Sequence, residues 1–141
     1  MDKHRNTFLL LSRILMALIF IAAGADKLER YASTATMMQS AGVPGALLPA
    51  VIALELGGGL AILLGAWTRP AAFSLGLFCV VSAALFHNNF TDPMQAAMFM
   101  KNLSIAGGFL ALAVAGAGTF SVDGRNSNRM SGKKMARTLP R

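Results

Sequence analysis

Five polar side chains interrupt or border apolar runs in this sequence: Lys27, Glu55, His87, Lys101 and Asn102. A carboxylate, two ammonium groups, an imidazole and an amide can jointly donate and accept hydrogen bonds or move a proton. Together they would form one polar cluster. It does not read as phosphate, zinc or hydrolase chemistry, because no phosphate loop, zinc spacing or nucleophile–base pattern is present. An ionisable residue in a membrane helix costs about 2.5–3.5 kcal/mol on insertion scales. Such a residue must face a helix contact, water or a partner, so these positions carry most of the functional information.

Glu55 lies deepest, roughly 13 Å into an apolar stretch at the helical rise. Residues three and four on share its face: Gly58 and Gly59, then Ile62. Glycines there admit another helix. Lys101 shares its face with Ser104, Ile105 and Gly108. Reading back from His87 gives Ala84, Ala83, Val80 and Gly76, and from Lys27 gives Gly24, Phe20, Ala17 and Arg13. Each residue has a plainer use. Glu55 could pair with Lys101 or Lys27 and hold helices in register. His87 could bond to Asn88 or Asn89 at an interface, and Lys27 could snorkel to headgroups. Arg13 could snorkel too, or face a cavity at the other end. The functional case rests on their convergence.

The weaker constellations fall away. His4 and His87 lie at opposite ends of the helices, which rules out haem held by two histidines of one chain. Met94, Met98 and Met100 read as packing, so no metal site is expected. Cys79 is the only cysteine and cannot form an intrachain disulfide.

The elements that must position these residues follow from hydropathy. The chain is 55% hydrophobic and 13% charged, whereas soluble domains are about a quarter charged. Four apolar stretches run over Phe8–Ala25, Ala46–Trp67, Ala71–Phe86 and Ala96–Ala117, against about 20 residues for a span. Ala41-Gly42-Val43-Pro44-Gly45, Thr68-Arg69-Pro70 and Thr91-Asp92-Pro93 separate them. The expected fold is all-α, a four-transmembrane-helix bundle. A short interfacial segment over Leu28–Ser40 joins helices 1 and 2, with Met37 and Met38 toward lipid. Residues 1–6 form an N-terminal flank, 7–123 the membrane domain and 124–141 a basic, disordered tail.

Six of the thirteen basic residues follow Gly124. No aromatic residue interleaves them, so they read as a cytoplasmic tail beside anionic membrane lipid rather than a nucleic-acid surface. Lys3, Arg5, Arg69 and the tail share one face if four spans alternate, which places both termini inside. Lys27, Glu55, His87, Lys101 and Asn102 then occupy the outer half together. The rival for helix 1 is a cleaved signal peptide, since Ala23-Gly24-Ala25 fits a cleavage site. Arg13 and the length of the apolar run argue against it. A faint repeat relates Gly57-Gly58-Gly59-Leu60-Ala61 to Gly107-Gly108-Phe109-Leu110-Ala111, as two parallel hairpins would.

From Arg13 to Asp123 the sequence resembles the DoxX family of small bacterial inner-membrane proteins. The resemblance rests on Ala23-Gly24 with Lys27-Leu28, on Ala41-Gly42-Val43-Pro44 and on Leu54-Glu55-Leu56-Gly57-Gly58-Gly59. Gly65-Ala66-Trp67-Thr68-Arg69, Leu85-Phe86-His87, Phe99-Met100-Lys101-Asn102-Leu103 and Gly107-Gly108 continue it in order. It implies four spans, an inner-membrane location and shared polar positions at Lys27, Glu55, His87, Lys101 and Asn102. Relatives include a subunit of an archaeal thiosulfate–quinone oxidoreductase and a mycobacterial component of an oxidative-stress complex.

The expected function is a redox-associated membrane subunit whose outer cavity binds a quinone. His87 and Lys101 would donate to ring oxygens, Glu55 would accept a proton or fix Lys101, and Asn102 would orient the ring. The chain has no catalytic motif of its own, so electron transfer would need a redox partner carrying haem, flavin or metal. The alternatives are a non-enzymatic scaffold, a small-molecule-binding protein, or a small transporter acting as a homodimer; the Gly57, Ala61 and Gly65 stripe could serve self-association, though packing within the bundle is its plainer use.

Overall fold

The computed structural model describes residues 2–127 and 130, and these form an all-α bundle with no strand. Helix α1 spans Asp2–Glu29, α2 Tyr31–Ser40, α3 Leu48–Leu64, α4 Thr68–Phe86 and α5 Pro93–Ala115. Four helices, α1, α3, α4 and α5, are long and apolar enough to cross a membrane. Between 17% and 28% of each span's apolar window is buried, so most of that surface is left for hydrocarbon.

Breakers set the boundaries. Helix α1 outruns its apolar stretch at both ends because nothing helix-breaking occurs until the bend at Arg30. Pro49 lies in the first turn of α3, where its missing N–H leaves no orphan. That helix ends on Gly65 at φ +66, a left-handed cap that glycine adopts without strain. Asp92 caps α5 by accepting from the Met94 N–H at 2.9 Å. The cap of α4 comes from far along the chain: the Asp123 carboxylate accepts from the Trp67 N–H at 3.0 Å and the Thr68 N–H at 2.9 Å.

The spans pack as α1 on α3, α3 on α4 and α4 on α5. Phe20 of α1 and Phe109 of α5 meet edge-on at 5.3 Å and close the bundle. Lipid tails are as apolar as leucine, so contact rather than water exclusion must hold these helices together. Glycine supplies that contact. A Cβ on Gly59 would lie 2.9 Å from Ile21 Cγ1 and 3.3 Å from the Ile21 backbone nitrogen, so α3 touches α1 at that point. Gly58 meets Leu75 of α4 in the same way. Gly57 has nothing within 4 Å and faces outward. The Gly57–Ala61–Gly65 spacing is therefore not one internal packing face.

Two expectations are corrected. Met37 is exposed, but Met38 is 4% exposed and packs with Leu48 and Ile52, because successive residues on α2 are turned about 100° apart. Arg13 is 1% exposed and does not snorkel; its Nη2 donates to the Phe120 carbonyl. The chain after α5 folds back beneath the bundle and brings that carbonyl to it. Residues 122–127 are helical, so helix extends past the boundary expected at 124. Except for Met130, the expected tail beyond 127 lies outside the described residues.

Candidate functional site

Lys27 sits in the last turn of α1 and Glu55 two turns into α3, at one level of the bundle. The Lys27 ammonium donates to Glu55 Oε1 at 3.0 Å and lies 2.9 Å from Oε2. Glu55 is 3% exposed, and its Oε2 is buried with no aligned donor. Of the pairings open in the sequence, Lys27 takes the carboxylate and Lys101 does not. The Lys27 side chain turns inward rather than out to headgroups.

His87 ends α4 as its C-cap, with φ −131 and ψ 40. Its Nδ1 lies 2.8 Å from Gln95 Oε1 on α5, and not against Asn88 or Asn89. Nδ1 is thereby engaged by Gln95, which leaves Nε2 as the ring nitrogen open to a ligand. Asn88 instead donates to the Ala84 carbonyl at 3.3 Å.

Lys101 and Asn102 lie in the third turn of α5. Neither makes a hydrogen bond or ion pair among the described residues. Both line one cavity of about 170 Å³ with Lys27, Glu55 and His87. All five sequence-derived positions thus surround one space, with Cys79 and Ser82 on its wall. At about 30 Å³ per water, the space admits about six waters or a compact ring. Donors stand at Lys101 and Asn102, an acceptor at Glu55 Oε2, and the second ring nitrogen of His87 beside them. A second cavity, of about 470 Å³, shares Lys27, Glu55, Phe78, Ser82 and His87 with the first. Among the described residues no three His, Cys, Asp or Glu side chains group to hold a metal.

A third cavity, of about 550 Å³, lies at the opposite end, around Trp67, Arg69, Gly116 and Asp123. It is open, and its carboxylate already caps α4. Burial alone would raise the Asp123 pKa. The N–H groups of Thr68 and Trp67 and the nearby Arg13 outweigh that and hold it below the usual carboxylate value. None of the five convergent residues reaches this space.

Sequence reading missed Gln95, Phe78 and Ser82. Gln95 lies seven residues before Asn102, so that spacing could have revealed it. The other two were lost because the register was read back from His87. That residue is not helical, so its side chain leaves the face that helical spacing assigns.

Comparison with known proteins agrees with this architecture. The DoxX family profile matches residues 8–88, covering α1 to α4 but not Lys101 and Asn102. The inner membrane protein YqjF of Escherichia coli K12 is 50% identical over 123 residues, covering 87% of this chain and 95% of that protein. The inner membrane protein YphA of the same strain is 38% identical over 129 residues, covering 86% of this chain and 91% of that protein. These two alignments cover more of the chain than the profile does. No solved structure matches. With a profile match over more than half of its length and extensive identity to full-length relatives, the chain belongs to the DoxX family.

Proposed function

We propose that this protein resides in a bacterial inner membrane with both termini in the cytoplasm, and binds a quinone or quinol in the outer half of its bundle. The observation that carries the reading is the single cavity onto which five polar residues from four spans converge. A ring site needs an apolar wall with few polar anchors; here Phe20, Phe78 and Ile105 supply the wall. Lys101 and Asn102 donate to ring oxygens, Glu55 accepts from a ring hydroxyl, and His87 contacts the ring through Nε2. Lys27 fixes the Glu55 carboxylate. Electrons would pass to or from a redox partner carrying haem, flavin or metal. The inner-membrane relatives and the basic residues at the Arg13 end support the placement.

The test is binding of ubiquinone and menaquinone analogues to the purified protein in nanodiscs. Lys101→Met and His87→Ala should each weaken binding about tenfold, the loss of one charged or polar anchor. Unchanged affinity in both variants would sink the assignment. The Lys27–Glu55 ion pair favours a second reading, a scaffold in which the pair only pins α1 to α3. That reading expects no quinone binding by the unmodified protein, and stability loss alone from Glu55→Gln.

A further inference from the structure

The two adjoining cavities differ in character. The smaller holds Lys101 and Asn102. The larger extends from the Lys27–Glu55 pair between α2 and α4, past Met38, Val51, Phe78 and Phe86. Its outer wall includes Met37 and Leu85, which are 52% and 43% exposed. Both side chains therefore border the cavity and the outer surface of the protein. A mouth rimmed by half-exposed methionine and leucine on a membrane bundle opens toward hydrocarbon. Buried Glu55 Oε2, without an aligned donor, lies where the two spaces meet.

Polar residues, among them Thr34, Ser40, Ser82 and Gln95, share the lining; its apolar side, at Met38, Val51, Phe78 and Phe86, suits a hydrocarbon chain better than water, which needs polar partners. Helix α2 is held by α1, the Gly45–Leu47 turn and α3. It stands across the cavity from α4 as a short, separate wall.

We infer that the larger cavity is the tail half of the site. It takes the apolar chain of a membrane-dissolved amphiphile, which enters sideways between α2 and α4 and places its polar ring at Lys101 and Asn102. The inference rests on the ring-binding reading above and narrows its ligand to tailed, membrane-resident molecules. A water-soluble molecule arriving from the aqueous side would not use this mouth.

The experiment compares two probes on the full chain in nanodiscs: a dimethoxy-methyl-benzoquinone bearing a decyl chain, and the same ring without it. Met37→Trp and Leu85→Trp narrow the mouth from different helices, so failure of one variant to fold leaves the other. Each should weaken the decyl probe about tenfold and leave the tail-less probe within about twofold. Lys101→Met should weaken both. If the tryptophan variants shift both probes equally, or neither, the tail assignment is overturned while the ring site stands. If the unmodified protein binds neither probe, the ring-binding reading is overturned and the tail assignment with it.

Discussion

Removing Lys27 should cost far more than neutralising Glu55, although the two form one ion pair. At 2.9 Å and an effective dielectric of about 20, their attraction is about 6 kcal/mol before desolvation. Desolvation offsets much of it, at several kcal/mol per fully buried ion. The two partners are not buried alike: the Lys27 side chain is 23% exposed and that of Glu55 4%. In Lys27→Met a carboxylate is stranded in the bundle, at about 3 kcal/mol, the low end for breaking a buried pair. In Glu55→Gln the ammonium can rotate out along its flexible stem, so the loss should be about 1 kcal/mol. The double variant Lys27→Met/Glu55→Leu removes both charges and should return to within about 1 kcal/mol of the unmodified protein. SDS titration of the detergent-solubilised protein, followed by pulse proteolysis, measures all three. Equal losses in the two single variants, or a double variant no more stable than Lys27→Met alone, would refute the reasoning.

Other consequences can be checked in the same assay. Asp123→Ala removes the cap of α4 and should cost about 1 kcal/mol at neutral pH. Because the folded-state pKa of Asp123 is depressed, its stabilisation is complete above about pH 4, the usual unfolded value. It is lost as pH falls through the lower folded value. Asp123→Ala should therefore flatten the acid limb of the stability profile, and an unchanged limb would contradict this. Gly59→Ala should lose about 1–3 kcal/mol by overpacking against α1, whereas Gly57→Ala, with open space around it, should be neutral or gain up to about 1 kcal/mol. Gly65→Ala should lose about 2 kcal/mol or more, from its left-handed backbone and the Arg13 guanidinium packed against it. Adding Arg13→Ala should restore only the part due to the clash, and full or absent restoration would contradict the division.

Much of this protein is legible in its sequence because the bilayer is a demanding solvent. Hydropathy and breakers mark the four spans, and the cost of charge in hydrocarbon singles out Lys27 and Glu55 before any coordinates exist. Gly58 and Gly59, on the face of Glu55, locate the contacts of α3, since only residues without a side chain permit such approach. Pairing was not legible. Lys27 and Lys101 were both in reach of Glu55 by depth along the bundle, and the packing of α1 on α3 decided for Lys27. His87 has neighbouring amides in sequence, yet its non-helical backbone turns the ring to Gln95. Arg13 read as a snorkelling residue because nothing local foretells that Phe120, 107 residues on, returns a carbonyl to it. Helical period and solvent cost are local properties, so sequence alone determined the spans and the candidate residues. Which groups touch, and which cavity they enclose, depends on helix rotation and on where the chain folds back, and only the tertiary structure decided that.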